Sequence, residues 1–248
     1  MKSRVQIADI AVDVVRKDIK NVHLSVHPPS GRVTLAAPAH MKLDTLRLFL
    51  IAKMGWIRTQ QKILIGQDRE TPREYLNRES HYVWGERYLM QIVEADTSPR
   101  IELKHRRLIF QVRNSSDRRK NQEIMDGWYR GLIKEAVPSL LSKWEKRIGV
   151  RVNRFFVRRM KTKWGSCNPR AKTIRLNTEL AKKPRECLEY IVVHELVHML
   201  EPAHNERFTG LMDQHLPKWQ SYRQLLNSLP LQYESWDYQA NPQRVCQN

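Results

Sequence analysis

The sequence predicts an α+β fold: a β-rich N-terminal region with one helix, then a helical C-terminal domain. Three observations predict it. Short runs of β-branched and aromatic residues, separated by Gly, Pro and charged turns, fill residues 1–115. Longer stretches with helical spacing dominate residues 116–227. One of these carries His194-Glu195-Leu196-Val197-His198, and His204 follows six residues later. Residues 228–248 are polar and read as a loose tail.

The elements follow in order. Val22–Val26 and Val33–Ala37 flank Pro28-Pro29-Ser30-Gly31, which predicts two strands and a turn. Asp44 to Leu64 has amphipathic helical spacing, with Asp44 as the N-cap. Gln67 to Glu79 is polar and predicts a loop. His81–Trp84 and Arg87–Val93 surround Gly85-Glu86, a hairpin signal. Ile101–Leu103 and Leu108–Val112 form another pair. Ser115-Ser116-Asp117 opens a helical stretch to Ile148, which Pro138 should kink or split and Gly149 should stop. Phe155–Val157 and Thr173–Leu176 read as strands joined by a loop holding Trp164-Gly165-Ser166-Cys167. Pro184 sits at the first turn of the histidine-bearing helix, and Pro202 should end it near Glu201. Asn205 caps a helix to about His215, and Trp219 to Leu226 makes a last one. No internal repeat or low-complexity tract is visible in the sequence.

The histidine motif carries the chemistry. Residues i and i+4 share one face of a helix, so His194 and His198 can aim ring nitrogens at one ion. Glu195 lies beside the first of them, where a carboxylate can take a proton from an activated water. A chance match in a chain with 9 histidines has a probability on the order of 10⁻². The surrounding segment, Leu188 to Leu200, is strongly apolar, and a buried helix seldom carries two His and a Glu without partners. With His204 as third ligand, a fourth position stays open, as in a catalytic zinc site. Imidazoles also suit nickel and other divalent transition metals, so Zn2+ is expected on motif precedent, with Ni2+ an alternative. The spacing to His204 matches the metzincin pattern, but Glu201 and Pro202 stand where that pattern turns on glycine. The turn must be built another way, which argues against a metzincin.

Charge is the second signal. The chain has 44 Lys+Arg against 26 Asp+Glu, a net +18. Arg151 to Arg185 holds twelve basic residues, and Glu179 is its one acid. Such a field favours polyanions, so DNA or another polyanion is an expected partner. Arg159, Lys161, Lys163, Trp164 and Arg175 are the candidate substrate-binding residues within it. No apolar run reaches membrane-spanning length, and no secretory leader pattern opens the chain. Cys167, Cys187 and Cys246 are odd in number and widely spaced, which suits a reducing cytoplasm better than a disulfide scaffold. Cys167 reads as a structural thiol, since no His-containing motif adjoins it. The oligomeric state is not legible.

Several blocks together resemble the YgjP-like metallopeptidase family, which is zincin-like and related to SprT-like proteases. They are Pro38 to Leu64 with Trp56-Ile57, Gly85-Glu86-Arg87-Tyr88, Arg159 to Cys167, Ile174-Arg175-Leu176-Asn177, Tyr190 to His198, and Glu201 to Phe208. The resemblance spans roughly residues 15 to 227 and implies a zincin-like domain over 116–227. It implies zinc ligands at His194, His198 and His204, Glu195 as general base, and Trp164–Cys167 packed near the active-site helix. Thr209 stands where many members have Trp.

Three functions compete. The first is peptide hydrolysis of the metallopeptidase type, with Glu195 activating water at a three-His site. The second is a nucleoside triphosphate pyrophosphatase or phosphohydrolase that uses Arg158, Arg159, Lys161, Lys163 and Arg175 for phosphate. The third is a DNA-binding module with a structural metal, which Glu195 and the open coordination position oppose.

Overall fold

The computed structural model describes residues 2–27, 30–66, 73–113, 117–160 and 163–230. Its α+β architecture contains three sheets and six α-helices among those residues. Contacts divide the chain into two compact units that part between residues 69 and 70.

The first unit begins with two strands that the sequence reading did not anticipate, β1 (Lys2–Ile7) and β2 (Ile10–Lys17). Their signal was present: Val5, Ile7, Ile10, Val12 and Val14 are buried at period two. The turn at Ala8-Asp9 cuts that alternation into two short runs. β3 (His23–His27) and β4 (Arg32–Pro38) follow as expected, giving the order β1-β2-β4-β3 with β2 and β4 parallel. The Pro28-Pro29 part of their turn lies outside the described residues. The single helix expected from Asp44 to Leu64 is two, α1 (Leu43–Ala52) and α2 (Met54–Ile65). The ladder tightens at Lys53, whose N–H donates to both Phe49 O and Leu50 O at 3.1 Å. Lys42 occupies the N-cap, and Asp44 lies in the first turn. Leu46, Leu50 and Ile57 enter the core of this unit, whereas Trp56 stays exposed.

The second unit repeats the sheet plan. β5 (Ser80–Val83), β6 (Glu86–Glu94), β7 (Arg100–Lys104) and β8 (Arg107–Val112) take the order β5-β6-β8-β7, again with a parallel central pair. The two sheets therefore share a topology that no sequence periodicity discloses. Trp84 and Gly85 both have positive φ (51° and 85°), as a two-residue hairpin turn requires. That turn donates Trp84 N–H to Ala181 O at 2.8 Å, tying the sheet to the segment before the histidine helix. The expected loop of residues 67–79 is irregular over 73–79, and 67–72 lie outside the described residues.

α3 (Arg118–Ile148) runs for 31 residues. Ser115 and Ser116 lie outside the described residues, and Asp117 caps it by accepting Lys120 N–H at 2.8 Å. Pro138 does not split it, because Ile133, Val137 and Leu141 bury one continuous stripe across that point. Gly149 ends it at φ 78° in the left-handed region.

A three-stranded sheet then leads to the histidine helix. β9 (Arg154–Arg158) and β11 (Thr173–Asn177) were expected as strands. Gly165–Asn168, expected as loop, is strand β10, antiparallel to β11 at the sheet edge. α4 (Arg185–Val197) has Pro184 as its N-cap and ends three to four residues before the expected Glu201. The chain tightens there, with Met199 N–H to Leu196 O and Leu200 N–H to Val197 O. α5 (Glu206–His215) starts at the Asn205 cap, and α6 (Trp219–Ser228) closes the described chain. The polar tail from 231 to 248 lies outside the described residues.

Asn177 fixes the loop that leads to β10. Its Nδ2 donates to Met160 O (2.8 Å) and Lys163 O (2.9 Å), and its Oδ1 accepts from Met160 N–H and Glu179 N–H. The side chain is buried, so losing it strands several backbone groups. Asn177→Ala should cost about 2–4 kcal/mol, from roughly 1–3 kcal/mol per orphaned buried group, read as a lowered thermal midpoint. A midpoint unchanged from wild type would show that Asn177 does not hold this loop.

Candidate metal centre

α4 is almost wholly buried, yet it carries His194 and Glu195 and is capped by His198. The i, i+4 spacing places His198 Nε2 3.1 Å from His194 Nε2. His204 returns from the following turn and places its Nε2 3.0 Å from His194 Nε2. One ligand atom from each histidine lies within 4.8 Å of the others. Nitrogens bound tetrahedrally at 2.0–2.1 Å sit about 3.3 Å apart, so this spacing is close to that of ligands to one ion. Among the described residues, no other group of His, Cys, Asp and Glu converges this way.

The turn between His198 and His204 does without glycine. Glu201 O accepts His198 Nδ1–H at 3.1 Å, and the Glu201 carboxylate accepts Ala203 N–H at 3.2 Å. Glu201 thus holds the turn with its side chain and orients His198 with its carbonyl. The first of these bonds fixes the His198 tautomer and leaves the Nε2 lone pair free. Phe208 of α5 lies against all three imidazoles, at 4.7–4.9 Å between ring centres. Tyr190, one turn before His194, meets it edge-on and stacks on Trp219 of α6.

The electrostatics fit a cation. Burial lowers the pKa of all three histidines, His194 to about 3, so the rings are neutral and can donate lone pairs. Burial pushes Glu195 up to about 8, and the Lys163 charge opposes that rise. Glu195 Oε2 and His194 Nδ1 are buried with no hydrogen-bond partner among the described residues. Gly165 of β10 passes directly over Glu195. A Cβ there would fall 2.5 Å from Glu195 Oε1. Three neutral imidazoles beside a desolvated carboxylate suit a divalent cation and an adjacent water.

The sequence-predicted substrate residues scatter. Lys163 is exposed, and its charge acts on Glu195 and His198. Trp164 is half-buried and packs against the core. Arg159 lies 3.8 Å from Asp126. Arg175 pairs in register with Ser166, on the face of the sheet opposite Gly165 and Glu195. Lys161 lies outside the described residues. His215 ends α5 and is not part of the cluster. Trp164–Cys167 was expected near the histidine helix, and Gly165 is its residue that meets Glu195; its signal is a glycine inside a strand, which marks close backbone approach. Two further contributors were not singled out. Phe208 carried only the spacing of a core residue. Arg223, an exposed residue of α6 whose charge lowers the pKa of His194 and His204, carried none.

No curated protein matches the chain. Among solved structures it is similar to the metallopeptidase zymogen of Pyrococcus abyssi abylysin, at 19% identity and TM-score 0.35, covering 39% of this chain and 99% of that one. It is also similar to the metallopeptidase zymogen of Methanocaldococcus jannaschii jannalysin, at 21% identity and TM-score 0.32, covering 36% and 92%. The model of the YgjP-like family, described as a metallopeptidase domain, matches residues 20–229. That match takes in most of the sequence and the whole histidine cluster, and the chain belongs to the YgjP-like metallopeptidase family of metal-dependent hydrolases.

Proposed function

We propose that this chain is a zinc peptidase in which His194, His198 and His204 hold the ion through Nε2 and Glu195 is the general base. The observation that carries this reading is the convergence of three Nε2 atoms beside a buried, unpartnered carboxylate. A bound zinc supplies Lewis acidity and brings the pKa of a water toward ~7. Glu195 takes a proton from the attacking water and passes it to the leaving amine. Lys163 favours the ionised carboxylate that this role requires. Phe208 and Tyr190 hold the imidazoles in place and exclude water from their flanks. β10 lies at the sheet edge next to Glu195, so an extended peptide can add there as a further strand. Free thiols at Cys167 and Cys187 suit a reducing cytoplasm.

A second reading has one observation in its favour. Lys163 and Arg223 place two exposed cations around the cluster, which also suits an anionic substrate such as a nucleoside triphosphate. A panel of casein and the four triphosphates, run with zinc and with chelator, separates the two. Zinc-dependent turnover of a triphosphate with casein untouched would overturn the peptidase assignment.

Glu195→Gln should retain zinc by elemental analysis and lose turnover by about 10²–10⁴-fold. Turnover near the wild-type rate would remove Glu195 from the mechanism. Gly165→Ala places a methyl against the same carboxylate. Its kcat should fall by about tenfold or more, with zinc content and melting temperature held, because small misplacements at a reacting group are costly. An unaltered kcat would mean that Glu195 need not sit where it does. Burial pushes the thiol of Cys167 up to about 12 and that of Cys187 up to about 11. Both should therefore resist iodoacetamide at pH 8 in the folded protein and react once it is denatured, as read by peptide mass spectrometry. Rapid native labelling of Cys167 would reinstate it as a candidate nucleophile.

A further inference from the structure

The basic segment has a geometry that the hydrolytic site does not use. Along β9 the side chains alternate. Phe155 and Val157 join the core with Ile174 and Leu176 of β11. Arg154, Phe156 and Arg158 take the other face, where Arg175 of β11 stands opposite Phe156 in register. The guanidinium carbons of Arg154, Arg158 and Arg175 lie 5.2, 5.7 and 5.9 Å from the centre of the Phe156 ring. All three arginines are exposed, and Phe156 is half-exposed. Among the described residues, none of the three has an acidic partner, although other surface arginines such as Arg32, Arg58 and Arg100 are paired. Three like charges gathered round one ring repel one another, and no carboxylate offsets that repulsion.

We infer that this outer face of the β9–β11 sheet, centred on Phe156 and ringed by Arg154, Arg158 and Arg175, binds single-stranded nucleic acid. The cations meet phosphates, and the ring and the guanidinium planes offer stacking surfaces to unpaired bases. A duplex buries its base faces and would leave Phe156 without a role. An acidic peptide would use the charge but has no planar group in every repeat. Ser166 of β10, across from Arg175, continues the face with a hydroxyl. Lys172, exposed at the β10–β11 turn, extends the charge beyond Arg154. Gly165 and Glu195 lie on the opposite side of the same sheet, so bound nucleic acid and the hydrolytic site do not compete for space.

The test is fluorescence anisotropy of the full zinc-loaded chain with a labelled oligothymidylate of about 16 nucleotides, a length matched to single-strand binding surfaces. The wild type should bind, with affinity falling as salt rises. Phe156→Ala should weaken binding roughly tenfold at unchanged salt slope, and Phe156→Trp should restore it. Arg154→Ala, Arg158→Ala and Arg175→Ala combined should flatten the slope of log K against log salt by about 2, three lost phosphate contacts in a single strand. Zinc content and melting temperature, compared across variants, separate loss of the face from loss of the fold. Absence of binding to the oligonucleotide overturns the inference. So does equal binding by wild type and Phe156→Ala, or an effect of Phe156→Ala on heparin as large as on the oligonucleotide, since either would reduce the face to unspecific charge.

Discussion

The site depends on burying a helix that is not wholly apolar. α4 places nine of its thirteen residues in the core, and Glu195 is one of them. Burying an unpaired carboxylate costs several kcal/mol unless its charge is neutralised. The cost is visible in the shifted pKa of Glu195 and in an oxygen that finds no partner. Such a helix is stable only because Leu188, Ile191, Val192, Leu196 and Val197 are buried around it, each contributing on the order of 1.5–3 kcal/mol. The apolar face thus offsets the polar one.

The rest of the second unit serves to aim these groups. The hairpin turn at Trp84-Gly85 bonds to the segment that leads into α4, and Arg185 lies over the Trp84 ring at 4.3 Å. Gly85 has no room for a side chain, because a Cβ would meet Pro184 at 2.9 Å. The N-terminal end of α4 is thus clamped by the second sheet. Its C-terminal end is clamped by Phe208, which touches three imidazoles from three different sequence positions. Between the clamps, Asn177 and Gly165 bring β10 against the carboxylate. Two glycines and an asparagine, far apart in sequence, thus set how near the backbone approaches α4.

The three converging histidines were legible because helical periodicity converts spacing directly into geometry. His194 and His198 needed no tertiary information, and His204 needed only a turn forced by Pro202. Gly149 and Asn205 were legible for a similar reason, since helix ends have local chemistry. What escaped depended on longer-range packing. The strand at Gly165–Asn168 is four residues long, has no alternating apolar pattern and exists because β11 supplies its partner. The break falls at Lys53, a polar interruption in a spacing that otherwise continues to Leu64, and a single polar position does not by itself end a helix. Pro138 misled in the opposite direction: a local rule predicted disruption, and a continuous buried stripe overrode it.

The basic segment shows how charge and position separate. Counted along the chain, Arg159, Lys163 and Arg175 belong to one cluster. The fold divides them, because Arg175 lies on β11 whereas Arg159 and Lys163 lie between β9 and β10. Lys163 acts on Glu195, while Arg175 joins Arg154 and Arg158 around an aromatic ring on the far side of the sheet. A run of basic residues that looked like one phosphate site is therefore two electrostatic environments. The one near the histidine cluster bears on a carboxylate. The other gathers three guanidiniums with no acidic partner among the described residues round a half-exposed ring, an arrangement that favours an anion.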